Sequence, residues 1–307
     1  MAAMAECRDA RTADPPGSGA RKPVPMPTPT LPALVALHCA VLLFGFAGLF
    51  GKWLALSPVA IVLGRTVVAA AVLGLIVAIR RQPAAFAPGL AVNGVVLAVH
   101  WVTFFEAIRV STIAIGLLGF ASFPLFVLLL ERAMLGRRWH RVEVTTALMV
   151  AAGLVVLVPR FAWEERTVQG LLWGIVSGFT FALLAVRSRR YAATHAPAAV
   201  ALWQNAIAAA ALAPFVIAGG AAMPAITAHD VMLLLVLGVL CTALAHTLFI
   251  GSLRRVSAHT ASVVAALEPV YGIALAVLLL GEVPSPRTLV GALLIVGAAL
   301  VATRRAA

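Results

Sequence analysis

Apolar runs of about twenty residues follow one another along almost the whole chain. That is the length a helix needs to cross a hydrocarbon core about 30 Å thick. Ten are legible, at roughly 31–50, 59–79, 90–108, 112–130, 144–158, 168–186, 198–218, 231–253, 260–280 and 288–302. The connections between them leave no room for a soluble domain. Of 307 residues, 63% are hydrophobic and 11% charged, against about 45–50% apolar and about 25% charged in soluble domains. Such a chain cannot cover itself in water. In lipid only helices or closed barrels satisfy every backbone polar group. The runs are of helical length, so the sequence predicts an all-α integral membrane protein of ten transmembrane helices.

The formal charge of +12 could suggest nucleic acid, but the basic residues lie in ones to fours between apolar runs and form no binding stripe. They set orientation instead. With the N-terminus inside, the inner connections hold Arg80 and Arg81, then Arg132, Arg137, Arg138 and Arg141, then Arg187, Arg189 and Arg190, then Arg254 and Arg255. The outer ones hold only Lys52, Arg109, Arg160, Arg166 and Arg287. This alternation predicts an N-in, C-in topology in a cell inner membrane. Residues 1–30, with "DPPGSGARKPVPMPTPT", lack the apolar core of a signal peptide and are expected to form a disordered cytoplasmic tail. Cys7, Cys39 and Cys241 make no disulfide framework.

The two halves resemble each other. "HWVTFFEAIRVS" from His100 aligns with "HTLFIGSLRRVS" from His246, and "FPLFVLLLERAMLGR" from Phe123 with "EPVYGIALAVLLLGE" from Glu268. Five spans per half is an odd number, so the second half must enter the membrane inverted relative to the first. Inverted repeats build many secondary transporters, with the substrate held near the midplane at proline- or glycine-interrupted helices. Pro124 and Pro269 stand at matching positions and are the expected hinges.

The segment "LEPVYGIALAVLLLGEVPSPRTLVGALLIVGAALV" resembles the closing pattern of the EamA family of the drug/metabolite transporter superfamily: Glu-Pro, then Leu-Gly-Glu, then a glycine-spaced last helix. "LLFGFAGLFGKWLALSPVAIVLGRTVVAA" matches the first half more loosely. The resemblance implies two inverted five-helix repeats, here 31–158 and 168–303, that move small metabolites such as amino acids. Phe123 and Arg137 replace the acidic positions in the first repeat.

Glu268 is a carboxylate inside a hydrocarbon-length run, which costs several kcal/mol without a partner or a purpose. It is read either as a coupling and substrate-contacting group or as a structural partner. Arg65 either snorkels to the outer surface or faces a midplane cavity. Trp203, Gln204 and Asn205 occupy approximately the matching level in the second half. His100 and His246 are satisfied interhelical donors or cavity groups. Trp101, Phe105 and Tyr271 are candidates for an apolar lining, with packing as the alternative. Gly45, Gly48, Gly170, Gly174 and Gly178 place small residues where helices pack closely.

No metal-ligand pattern or phosphate-binding loop is present. "GLFGKW" has the wrong spacing for one, and Trp53 stands where Ser or Thr must ligate magnesium. No cofactor, metal or nucleic acid is expected, and the chain is not expected to be an enzyme. The expectation is a secondary transporter exporting a small-molecule substrate such as an amino acid, as a monomer or homodimer in the lipid bilayer. A sugar, nucleotide-sugar or cofactor carrier is the alternative, with a passive channel or membrane-embedded enzyme behind it.

Overall fold

A computed structural model describes residues 30–136, 141–157, 165–219, 226–256, 261, 264–265 and 267–304. The predicted tail and Cys7 lie outside these residues. Each of the ten apolar runs carries helix among them. The helices are α1 (Leu31–Ala47), α2 (Phe50–Trp53), α3 (Pro58–Ile79), α4 (Pro88–Val110), α5 (Ile113–Phe120), α6 (Phe123–Leu135) and α7 (Arg141–Leu157). In the second half they are α8 (Arg166–Ala192), α9 (Pro197–Gly219), α10 (Ala228–Gly238), α11 (Ala245–Ser252), α12 (Glu268–Leu280) and α13 (Pro286–Arg304). A π-helical segment, Val239–Leu244, joins α10 to α11. Seven stretches are long and apolar enough to cross a membrane: 31–53, 58–79, 88–110, 113–134, 166–192, 197–219 and 228–252. The apolar helices in 144–157, 268–280 and 286–298 are shorter. The protein is therefore an all-α, multi-pass membrane protein.

Proline sets many of the boundaries. It stands in the first or second position of α1, α3, α4, α6, α9, α12 and α13. There its missing N–H has no intrahelical bond to lose. Pro124 and Pro269 both follow this rule. Each is the second residue of a 13-residue helix that ends at a left-handed glycine, Gly136 (φ 66°) or Gly281 (φ 65°). Both prolines thus open a helix, Pro124 directly after the break at Ala121 and Ser122 within the span 113–134. Ala121 and Ser122 interrupt the chain between α5 and α6. Side-chain caps begin α3 (Ser57) and α5 (Thr112), and a Thr227–Asp230 capping box begins α10.

The packing between helices has a regular plan. α4 lies on α8, as α11 and the π segment lie on α1. α5 and α6 lie on α8, as α12 lies on α1; α4 meets α9, as α10 and the π segment meet α3. Three contacts, α3 with α9, α7 with α13 and α5 with α12, join corresponding elements. Exchanging the first five apolar segments for the second five maps these contacts onto one another, whereas α5–α13 and α8–α9 have no counterpart of similar extent among the described residues.

Glycines allow the closest approaches. A Cβ on Gly45 would stand 3.0 Å from the Gly272 nitrogen, and one on Gly174 would stand 2.9 Å from both the Gly116 oxygen and the Gly119 Cα. Gly170 meets Ser111 and Ala107, and Gly178 meets the backbone of Phe120 and Phe123. Gly48 is different. Its contacts across helices are ordinary, beginning with Ile108 at 3.6 Å.

Candidate substrate site

A small cavity of about 20 Å³ lies at the meeting point of α1, α3, α4, α5, α8, α11 and α12. Its lining includes Phe44, Arg65, His100, Trp101, Phe104, Phe120, Phe181, His246 and Glu268. The space admits one or two waters. Aromatic rings form most of the wall. Phe120, Phe123, Phe181, Phe44 and Phe249 touch in sequence, with centroids 5.1–6.5 Å apart, and His100 packs on Phe181 at 5.1 Å.

Arg65 is 1% exposed, so it does not snorkel. Its guanidinium lies over the Trp101 ring at 3.9 Å and nearer the edge of Phe105's reach at 5.5 Å. Nε donates to Thr242 Oγ1 (2.8 Å) and an Nη donates to the Cys241 carbonyl (3.1 Å). The π segment creates this cradle. The Ala245 N–H, which in an α-helix would bond the Cys241 carbonyl, turns to the Leu240 and Thr242 carbonyls instead. The Thr242 hydroxyl donates to the Leu237 carbonyl, five residues back (2.7 Å), which fixes its lone pairs toward Arg65. Among the described residues every group in contact with the cation is neutral, so dipoles and rings solvate its charge there.

Glu268 is 3% exposed and is the first residue of α12. Its carboxyl has neither a hydrogen bond nor an ion pair among the described residues. Arg65 and Glu268 thus line one cavity without forming a salt bridge. Glu106 and Arg109 form an ion pair on the surface of α4, at 2.8 Å, and exposed pairs of that kind contribute little. Phe123, the matching first residue of α6, is fully buried apolar surface.

The other predicted residues separate into those at the cavity and those away from it. His100 lines it while its Nδ1 contacts Ser177 Oγ (2.9 Å) and the Ser177 carbonyl (3.1 Å), so it also ties α4 to α8. His246 lines it, 3.3 Å from Asn205 Nδ2. Asn205 sits just behind the wall: Nδ2 donates to the Ala201 carbonyl (2.8 Å), and its buried Oδ1 has no partner. Gln204 belongs to a different polar group. Its Nε2 donates to Ser188 Oγ (2.9 Å), beside Asn93, whose Oδ1 accepts from Arg187 Nε (2.7 Å). Trp203 points away to the α3–α4 connection, donating from Nε1 to the Ala84 carbonyl (2.9 Å) against Phe86. Tyr271 is half-buried and packs where α12 crosses Gly45. Glu282 does more than close the turn after α12. Its Oε1 accepts from the Ile113 N–H (2.9 Å), bonding the second half of the chain to the start of α5.

Thr242, Cys241, Phe44, Phe120 and Phe181 escaped the sequence reading. Only their place around Arg65 and His100 marks them, because nothing in an apolar run distinguishes the residue that faces a cavity from one that faces lipid.

The site is thus a small cavity between apolar helices, lined by a buried arginine and a buried carboxyl. Residues 168–304 match the EamA-like transporter family. An uncharacterized transporter from Archaeoglobus fulgidus is 27% identical over 202 residues, covering 66% of this chain and 71% of that protein. A protein of known crystal structure superposes with a TM-score of 0.70 at 25% identity, covering 89% of this chain and 98% of that one. These matches support an EamA-like transporter of the drug/metabolite transporter superfamily, with the family match lying on the second half of the chain.

Proposed function

We propose that the protein is a secondary transporter that exports a small zwitterionic metabolite, an amino acid or a close relative, across the cell inner membrane by alternating access. The observation that carries this reading is the pair of buried, mutually unpaired charges facing one cavity. A buried charge without an opposite partner costs several kcal/mol. Arg65 offers a guanidinium to a carboxylate, Glu268 offers a carboxylate to an amine, and Trp101 and Phe104 offer an apolar wall to a side chain. The cavity volume of about 20 Å³ is too small for such a molecule, so the site must widen for loading.

The packing contacts that map onto one another support two inverted five-helix repeats rocking about this site, and the alternation of basic residues supports an N-in, C-in chain. The protein would act on a small-molecule substrate as a monomer or homodimer, with gradient energy entering at Glu268. Efflux from proteoliposomes loaded with amino acids, sugars and nucleotide sugars, with and without a pH gradient, tests the reading. Saturable flux of an amino acid, lost in Arg65→Met and Glu268→Gln, is expected. Saturable flux of sugars alone would transfer the chain to the carrier alternative, and non-saturable flux would make it a channel.

A further inference from the structure

A second space, about 870 Å³, lies between α1, α3, the start of α9, the π segment and α11. Its walls are apolar: Ala33 and Ala36 on α1, Val72 and Ile76 on α3, Leu240 and Leu248 across from them. It is open along one side, where Leu240 (41%) and Leu244 (45%) are exposed in mid-helix at hydrocarbon depth. Water is a poor filling for an apolar groove at that depth.

The groove has a polar mouth. Arg80 and Arg255 line it, are exposed, and have no side-chain partner among the described residues. Gln82 and Thr247 also line it, and the buried Gln82 Oε1 and Thr247 Oγ1 have no hydrogen-bond partner among the described residues. Unsatisfied buried polar atoms of this sort call for an external partner. From Arg255 back to Leu240 the groove runs about 20 Å at about 1.5 Å per residue, enough for one leaflet of a hydrocarbon core, about 15 Å.

We propose that this groove is a binding site for one anionic phospholipid, with its phosphate between Arg80 and Arg255 and an acyl chain along α1, α3 and the π segment. The two guanidiniums match a phosphate in charge and geometry. The Thr247 hydroxyl is a donor for an ester carbonyl, and Gln82 Oε1 is an acceptor for a headgroup hydroxyl, a group that phosphatidylglycerol has and phosphatidylcholine lacks. The site also touches transport chemistry. Val239, Leu240, Ala243 and Leu244 of the π segment form its floor, while Cys241 and Thr242 of the same segment hold Arg65. A chain in the groove therefore presses on the element that positions the buried cation.

The test uses the full chain purified in detergent. Native mass spectrometry and thermal unfolding are followed with phosphatidylglycerol, phosphatidylcholine and inorganic phosphate. One phosphatidylglycerol retained at concentrations where phosphatidylcholine is lost is expected. Arg80→Gln with Arg255→Gln should weaken it by roughly 10-fold or more, at about 1 kcal/mol per basic residue. Arg190→Gln, an equally exposed arginine outside the groove, should not. Ala36→Trp should displace the lipid by filling the groove with the charges intact. Equal retention of both lipids would overturn the proposal. So would an equal loss in Arg190→Gln, unchanged binding in Ala36→Trp, or equal protection by inorganic phosphate alone.

Discussion

Replacing Glu268 with Gln separates the two readings of that residue. The side chain keeps its shape and loses its charge. If Glu268 held a structural ion pair, removing one partner would cost about 3–5 kcal/mol, since the other charge would be left buried and alone. The structure gives the carboxyl no such partner, and Arg65 keeps its bonds to Thr242 and the Cys241 carbonyl whatever stands at 268. The expected stability change is therefore between zero and a gain of about 2 kcal/mol, from relief of burying a charge. Transport should fall at least 10-fold. Thermal or denaturant unfolding of the purified variant, read beside proteoliposome flux per folded molecule, measures both quantities. Destabilisation by about 3 kcal/mol or more, with the flux per folded molecule unchanged, would refute the argument and make Glu268 structural.

Other outcomes follow from the same geometry. Arg65→Lys keeps a charge but loses the flat guanidinium over Trp101, and apparent KM should rise roughly 10-fold at similar protein level; an unchanged KM would remove Arg65 from the site. Gly174→Ala should cost about 1–3 kcal/mol because its Cβ has no room against Gly116 and Gly119. Gly48→Ala should be nearly neutral by the same unfolding assay. Glu282→Ala leaves the Ile113 N–H without its acceptor, so amides at the start of α5 should exchange faster with deuterium, while Glu282→Gln should restore protection. Trp203→Phe should lose about 1 kcal/mol with its bond to the Ala84 carbonyl and leave KM unchanged.

Much of this protein is legible in the order of its residues, because lipid imposes a simple rule. Long apolar runs must be helices, so the ten runs and the Pro124 and Pro269 pairing could be read from the chain. The internal match also put Phe123 opposite Glu268, and the helix starts agree with that alignment.

The direction in which a side chain points was far less legible. Trp203, Gln204 and Asn205 are consecutive, yet a helix turns them to a connection, a polar group on α8 and the back of the cavity wall. Apolar runs carry almost no amphipathic signal, so lipid-facing and cavity-facing positions look alike in sequence. The π segment was invisible for a related reason: "VLCTAL" is as apolar as its neighbours, and its widened turn depends on what Thr242 and Arg65 do for each other across 177 residues. The sequence determined that this chain enters a membrane as a series of helices and that a carboxylate and an arginine lie within them. Only the tertiary structure decided that the two share one cavity unpaired, because contact between distant helices is set by packing and not by hydropathy.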